Sequence, residues 1–215
     1  MKTILFFLGI SCSFWANAQK HFELGGHLGG NLSAVAWDGL ADWGTKYEYT
    51  AKTARYGIVA KYYLGNHVAI RLELNRETRG WNSPFKYLDT LRGYVEDITD
   101  YRYYFWIAPI MIDFSLGRKK GIYASLGFAP MLQTKGTKTI RSTGENETIK
   151  IHEPFRANGI YQYAGLANIG YTYPIYGNFY LYGETRFNLS FNYFEPKRKG
   201  YHYAYGAIMG VTYRL

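Results

Sequence analysis

The sequence predicts an all-β fold: an eight-stranded antiparallel up-and-down transmembrane β-barrel with short periplasmic turns and long extracellular loops. Three observations predict it. Apolar and polar residues alternate with period two through eight segments, the links between those segments alternate short and long, and an export signal stands at the N-terminus. Composition agrees. Tyr 23, Phe 13, Trp 5 and Gly 24 favour sheet over helix, because aromatic rings fit pleated surfaces and glycine weakens helices. No apolar run long enough for a helical membrane span follows the signal, so the crossing elements must be strands.

At the start, Lys2 precedes an apolar run from Ile4 to Trp15, and Ala16-Asn17-Ala18 is a small-residue cleavage site. Residues 1–18 are therefore expected to be a signal peptide, and residues 19–215 the barrel domain. Cys12 is the single cysteine, so cleavage after Ala18 leaves none and export brings no disulfide framework.

The first strand is expected over about His21 to Ser33, with Leu24, Leu28 and Leu32 opposite Glu23, His27 and Asn31. The second, Arg55 to Leu64, sets Tyr56, Ile58 and Tyr62 against Arg55 and Lys61. The third, Val68 to about Arg79, sets Ile70, Leu72 and Leu74 against Arg71, Glu73 and Asn75. The fourth ends with Ile110, Ile112 and Phe114 opposite Asp113. The fifth opposes Ile122, Leu126 and Phe128 to Ser125 and Gln133; the sixth opposes Tyr161, Tyr163, Ile169 and Tyr171 to Gln162 and Asn168. The seventh, from Phe179, alternates Leu181, Phe187 and Leu189 with Tyr182, Glu184, Arg186 and Asn188. The eighth closes the chain with Met209, Val211 and Tyr213 facing away from Thr212 and Arg214.

Tight turns are expected at Gly65-Asn66-His67, from Gly117 to Gly121 and at Tyr176-Gly177-Asn178. Long links run over Ala36 to Ala54, Gly80 to Thr99, Thr134 to Ala157 and Glu195 to His202. A soluble barrel would turn the apolar faces inward and bury six tyrosines, Tyr56, Tyr62, Tyr161, Tyr163, Tyr171 and Tyr173, each hydroxyl then needing a partner. In a membrane barrel those rings stand in the interfacial girdles and the polar face lines the lumen. The outer membrane is the compartment that follows.

The stretch YYFWIAPIMIDFSLGRKKGIYASLGFAPMLQ, Tyr103 to Gln133, carries Ile107-Ala108-Pro109-Ile110, a tight turn and Gly127-Phe128-Ala129-Pro130. With GLANIGYTYPIYGNFYLYGETRFNLSF and the closing GAIMGVTYRL, it resembles the PorT-like outer-membrane β-barrel family over most of the chain. Leu215 departs from the terminal aromatic residue usual in such barrels. The resemblance implies a small outer-membrane barrel and suggests a place in a protein secretion assembly, with no residue-level role carried over. Pro109 and Pro130 are expected almost opposite each other on neighbouring strands, each removing a ladder donor and opening a bulge or gap.

Eight strands leave room only for side chains. The expected lumen network is Glu23, His27, Asn31, Arg55, Lys61, Arg71, Glu73, Asp113, Gln162, Asn168, Glu184 and Arg186, whose opposite charges must pair in so narrow a space. A plug of ion pairs and a proton or ion path are the two readings of such a set. No histidine is followed two residues later by serine, and neither Ser125 nor Ser190 has an evident His-acid partner, so catalysis is not expected. His21, Glu23 and His27 share a face but make a poor metal site, and no cofactor is expected.

The formal net charge is +9. Arg118-Lys119-Lys120 sits in a predicted periplasmic turn. Lys135, Lys138, Arg141, Lys150 and Arg156 fall in the third long link and Lys197, Arg198 and Lys199 in the fourth, where glycolipid phosphates or acidic glycans are plausible counterparts. Outer-membrane lipid is the expected surround, a protein partner could dock through loops or turns, and nucleic acid is excluded by export. Phe85, Leu88, Leu91, Val95 and Ile98 recur at near-helical spacing, which predicts a short amphipathic segment that caps the barrel mouth or forms a docking surface. Two function classes follow: a membrane anchor or interaction subunit, and a stand-alone envelope protein that binds glycolipid.

Overall fold

The computed structural model describes residues 22–37, 49–89, 93–116, 121–143, 148–155, 161–191 and 200–215; the predicted signal peptide lies outside them. Ten strands form one antiparallel sheet: β1 (Phe22–Trp37), β2 (Tyr49–Tyr63), β3 (Val68–Asp89), β4 (Gly93–Ile107), β5 (Ile110–Ser115), β6 (Gly121–Thr143), β7 (Thr148–Phe155), β8 (Tyr161–Tyr176), β9 (Phe179–Ser190) and β10 (Gly200–Arg214). Pairing runs β1–β2–β3, then through β4 and β5 to β6, β8, β9 and β10. β10 pairs back onto β1 along its length, from Glu23 opposite Arg214 to Trp37 opposite Gly200, so the circuit closes. Closure removes the open edges that an antiparallel sheet would otherwise expose.

Among the described residues ten strands are present where eight were expected, and both extra strands have a local cause. The expected fourth strand is divided at Ala108-Pro109. Pro109 lacks an N–H, so the ladder is interrupted there while the chain keeps its direction. Ala108 N–H still donates to the Pro130 carbonyl at 3.0 Å, and Pro109 accepts from Glu73 N–H at 3.0 Å. Ile107 opposite Met131 and Ile110 opposite Phe128 keep the same register, so this is a gap without a bulge. The second extra strand, β7, forms a hairpin with the upper part of β6 in what was expected to be a long loop.

The first two long links are also shorter than expected, because the strands run on. β3 reaches Asp89 and β4 starts at Gly93, so the segment expected to be helix-like is an extended hairpin: Phe85 lies opposite Asp97 and Leu88 opposite Tyr94, with Leu91 outside the described residues. The three-to-four spacing arose across a chain reversal. The tyrosine, valine, isoleucine and threonine of Gly93–Ile107 favour a strand. The short end matches the reading: Gly177 adopts φ 55°, a left-handed geometry open to glycine, between β8 and β9.

β2 carries one extra residue between Thr50 and Arg55, against Trp81 and Glu77 on β3. This bulge parts the two strands locally. Ser33 of β1 fills the gap: its hydroxyl donates to the Gly80 carbonyl at 2.9 Å and accepts from Gly80 N–H at 2.8 Å, satisfying backbone groups that β2 no longer reaches. The bulge also leaves an opening on the outer wall.

The apolar faces point outward. Leu28, Tyr56, Ile58, Leu126, Tyr161 and Ile169 are each 60–69% exposed, and all six tyrosines that a soluble barrel would bury stand outside. The polar faces point in. The interior is not wholly polar, however: Phe105, Ile107, Met111, Met131 and Leu166 form an inward apolar cluster with Val35, Trp81 and Tyr103.

Candidate functional site

All twelve residues expected in the lumen lie on the buried, inward face. Period two places them there, since each strand presents every second side chain to the inside. Their centre is Glu73 of β3. Arg186 of β9 grips it with two hydrogen bonds of 2.7 Å, Arg55 of β2 approaches its Oε2 at 3.2 Å, and Arg71 lies 3.5 Å from its Oε1. Paired N–H donors on a carboxylate are the strongest arrangement available to buried charges.

Glu184 is the second hub. It accepts from Arg71 at 2.6 Å, from Tyr123 at 2.8 Å and from Asn168 at 3.2 Å, and it also pairs with Arg186. Arg71 spreads over four partners, adding to Glu73 and Glu184 the Asp113 carboxylate at 2.9 Å and the Ser125 hydroxyl at 2.7 Å. Lys61 binds Asp113 at 3.2 Å and lies over the rings of Tyr123 and Tyr182 at 4.8 and 5.2 Å.

His27 joins through its two ring nitrogens. The side-chain oxygen of Asn75 can only accept, so Nε2 must carry the proton donated to it at 2.7 Å. Nδ1 then accepts from the Tyr182 hydroxyl at 2.9 Å, and the Asn75 amide donates on to Glu73 at 2.8 Å. An amide does not readily pass a proton from its oxygen to its nitrogen. The chain Tyr182–His27–Asn75–Glu73 therefore orients the hub and does not form a continuous proton path.

Three of the twelve stand apart. Glu23 pairs with Arg214 at the lower end and accepts from Thr212 at 3.3 Å. Neither Gln162 nor Asn31 bonds to the network through its side chain; both are buried. Of the three residues of the weak metal reading, Glu23 and His27 bind these partners and His21 lies outside the described residues.

Several members were missing from the expectation. Glu77 and Arg79 extend the Arg71–Glu73–Asn75 alternation by two further inward positions, with Arg79 Nε on Glu77 at 2.6 Å and Arg55 on Glu77 at 3.2 Å. Continuing the period past Asn75 would have found them. Tyr182, expected on the polar face beside Glu184, is buried there, and Tyr123, which shares the parity of Ser125, joins it on the inward face. The described plug thus sets Arg55, Lys61, Arg71, Arg79 and Arg186 against Glu73, Glu77, Asp113 and Glu184. Toward the mouth, Trp81 stacks between Tyr101 and Tyr103 at 4.7 and 5.4 Å, beside Phe105 and His202.

Of the basic residues expected in loops, Lys135, Lys138 and Arg141 lie on β6 and Lys150 on β7; all four belong to strands. Arg141 stands directly opposite Lys150, and Lys138 opposite Glu153. Arg118, Lys119, Lys120, Arg156, Lys197, Arg198 and Lys199 lie outside the described residues.

Solved structures with a similar course of chain include Neisserial surface protein A, 13% identical, with 90% of this chain and 97% of that chain covered and a TM-score of 0.45. The attachment invasion locus protein Ail of Yersinia pestis is 11% identical over 90% and 99% of the two chains, with a TM-score of 0.38. The outer membrane protease OmpT of Escherichia coli is 10% identical over 92% and 97%, with a TM-score of 0.36. No curated protein matches the sequence. The family profile described as "Outer membrane protein beta-barrel domain" matches residues 17–195, most of the chain, and its inward ion pairs and outward apolar faces are those of a membrane barrel: the chain belongs to the outer-membrane β-barrel domain family.

Proposed function

We propose that this protein is a sealed, non-enzymatic outer-membrane anchor that holds a docking platform for a protein partner at the cell surface. β4 and β5 act as one stave interrupted at Pro109, and β7 stands outside the ring, so eight staves cross the membrane. The observation that carries the reading is the mutual satisfaction of Glu73, Glu184, Arg71 and Arg186 across the lumen, at hydrogen-bond distance and fully buried. Such a centre locks opposite walls together and leaves no lane for solute. Ser125, a candidate nucleophile, accepts from a guanidinium, which opposes its activation as a base-assisted hydroxyl. The platform is the extended β3–β4 and β6–β7 sheet. Its resemblance to PorT-like barrels supports a place in a secretion or envelope assembly.

Photo-crosslinking in cells tests this, with the crosslinker at Ile151 on the exposed hairpin or at Tyr176 in the periplasmic turn. A single protein captured in stoichiometric yield from Ile151, and not from Tyr176, is the expected outcome. Lipid alone at both positions would overturn the interaction reading.

A further inference from the structure

The outer wall carries a basic cluster that the sealed lumen does not use. It lies where the outward face of β2, β3, β4 and β6 changes from apolar to polar. On β3, the outward series Ile70, Leu72, Leu74 gives way to Arg76 and Thr78; on β2, Tyr62, Ile58 and Tyr56 give way to Lys52. Short turns mark the other end as periplasmic, so this boundary is the outer-leaflet headgroup level.

Four cations meet there. Arg76 lies over Trp106 at 5.3 Å and over Tyr104 at 5.8 Å, and Lys135 lies over Tyr104 at 4.6 Å. Arg102 reaches across Gly80 to the Lys52 carbonyl, over the β2 bulge. Lys52, Thr78, Arg102 and Tyr104 line an open cavity of about 480 Å³ at that bulge. Asp100 holds Arg102 through bonds of 2.7 and 2.9 Å and is the carboxylate of the group. Lys52, Arg76 and Lys135 have no ion-pair partner among the described residues, and Arg76 Nη1 is buried with no hydrogen-bond acceptor.

Three cations without counter-ions among the described residues, two of them held over aromatic rings at the edge of an apolar belt, match one chemistry: a phosphate ester whose acyl chains lie against that belt. We propose that Lys52, Arg76, Arg102 and Lys135 form a binding site for the phosphate of an outer-leaflet glycolipid, with its acyl chains along Ile58, Leu74 and Trp106. The bulge makes room for the headgroup, and the rings of Tyr104 and Trp106 hold the cations at one height. The site rests on the outer-membrane setting alone. Its failure would leave the anchor reading standing, because it shares no residue with the plug.

The test uses the full chain in detergent micelles, with native mass spectrometry measuring binding of diphosphorylated lipid A, its dephosphorylated form and inorganic phosphate. The combined Lys52→Gln, Arg76→Gln, Lys135→Gln variant is expected to bind the phosphorylated lipid at least about tenfold more weakly. An Arg141→Gln, Lys150→Gln variant, altered on the hairpin, is expected to bind as the parent does. The dephosphorylated lipid is expected to bind the parent no better than the phosphorylated lipid binds the triple variant. Gel mobility before and after boiling reports folding; should the triple variant misfold, exposed Lys135→Gln alone is expected to weaken binding measurably. Equal binding by parent and folded variant, equal binding of the dephosphorylated lipid, or displacement by an equal concentration of inorganic phosphate would each overturn the proposal.

Discussion

Glu73→Ala is expected to lower folding stability by about 3–5 kcal/mol, because it strips the compensation from buried cations while leaving them in place. Arg186 loses both of its 2.7 Å bonds, Arg55 loses one of its two carboxylates, and Asn75 loses the acceptor that fixes it toward His27. Arg71 is cushioned by Glu184 and Asp113. The damage is therefore concentrated on β2 and β9, which flank the β1–β10 pair. Urea unfolding followed by tryptophan fluorescence measures it. Glu153→Ala, on exposed β7, serves as the comparison and is expected to shift the transition by under about 0.5 kcal/mol. Equal shifts for the two variants would mean that the plug adds nothing to stability.

The second large effect comes from a glycine. A Cβ at Gly210 would fall 2.5 Å from the Tyr182 ring and 2.7 Å from the Gly26 carbonyl. Tyr182 lies flat on β10 only because Gly210 has no side chain, and that position brings its hydroxyl to His27. Gly210→Val is expected to destabilise by about 3 kcal/mol or more, through overpacking and the loss of the bond at His27. Tyr182→Ala in the same chain should recover part of the loss by vacating the space, and a double-mutant cycle reads that coupling. Additive losses would show that the ring and the glycine are energetically independent. Tyr123 covers Gly170 in the same way, its ring carbon 2.5 Å from the would-be Cβ.

Alternation along each strand made the inside and outside legible, because period two is a property of the backbone itself. Every expected lumen residue is therefore on the inward face, while which of them meet depends on stagger between strands. Arg186 finding Glu73 on a wall distant in sequence is a consequence of the ring, with no local signal. Gln162 shows the converse, having the right parity and no bond to the plug. Strand ends were less legible. Polar residues such as those of Thr134–Thr143 read as loop, yet β-branched threonines and isoleucine pair with β4 and β7 once a neighbouring strand is present. Apolar inward positions were missed for a related reason. Ile107, Met111 and Met131 lie beside the Pro109 gap, where the stave turns hydrocarbon inward next to the charged centre, Met111 standing opposite Arg71.

A lumen closed by its own side chains should pass no current, and single-channel recording on the purified chain in planar bilayers measures this. Bilayers are expected to stay at baseline after insertion, with insertion confirmed by protease protection of the strands. Stable, reproducible conductance steps from the intact protein would contradict a closed lumen.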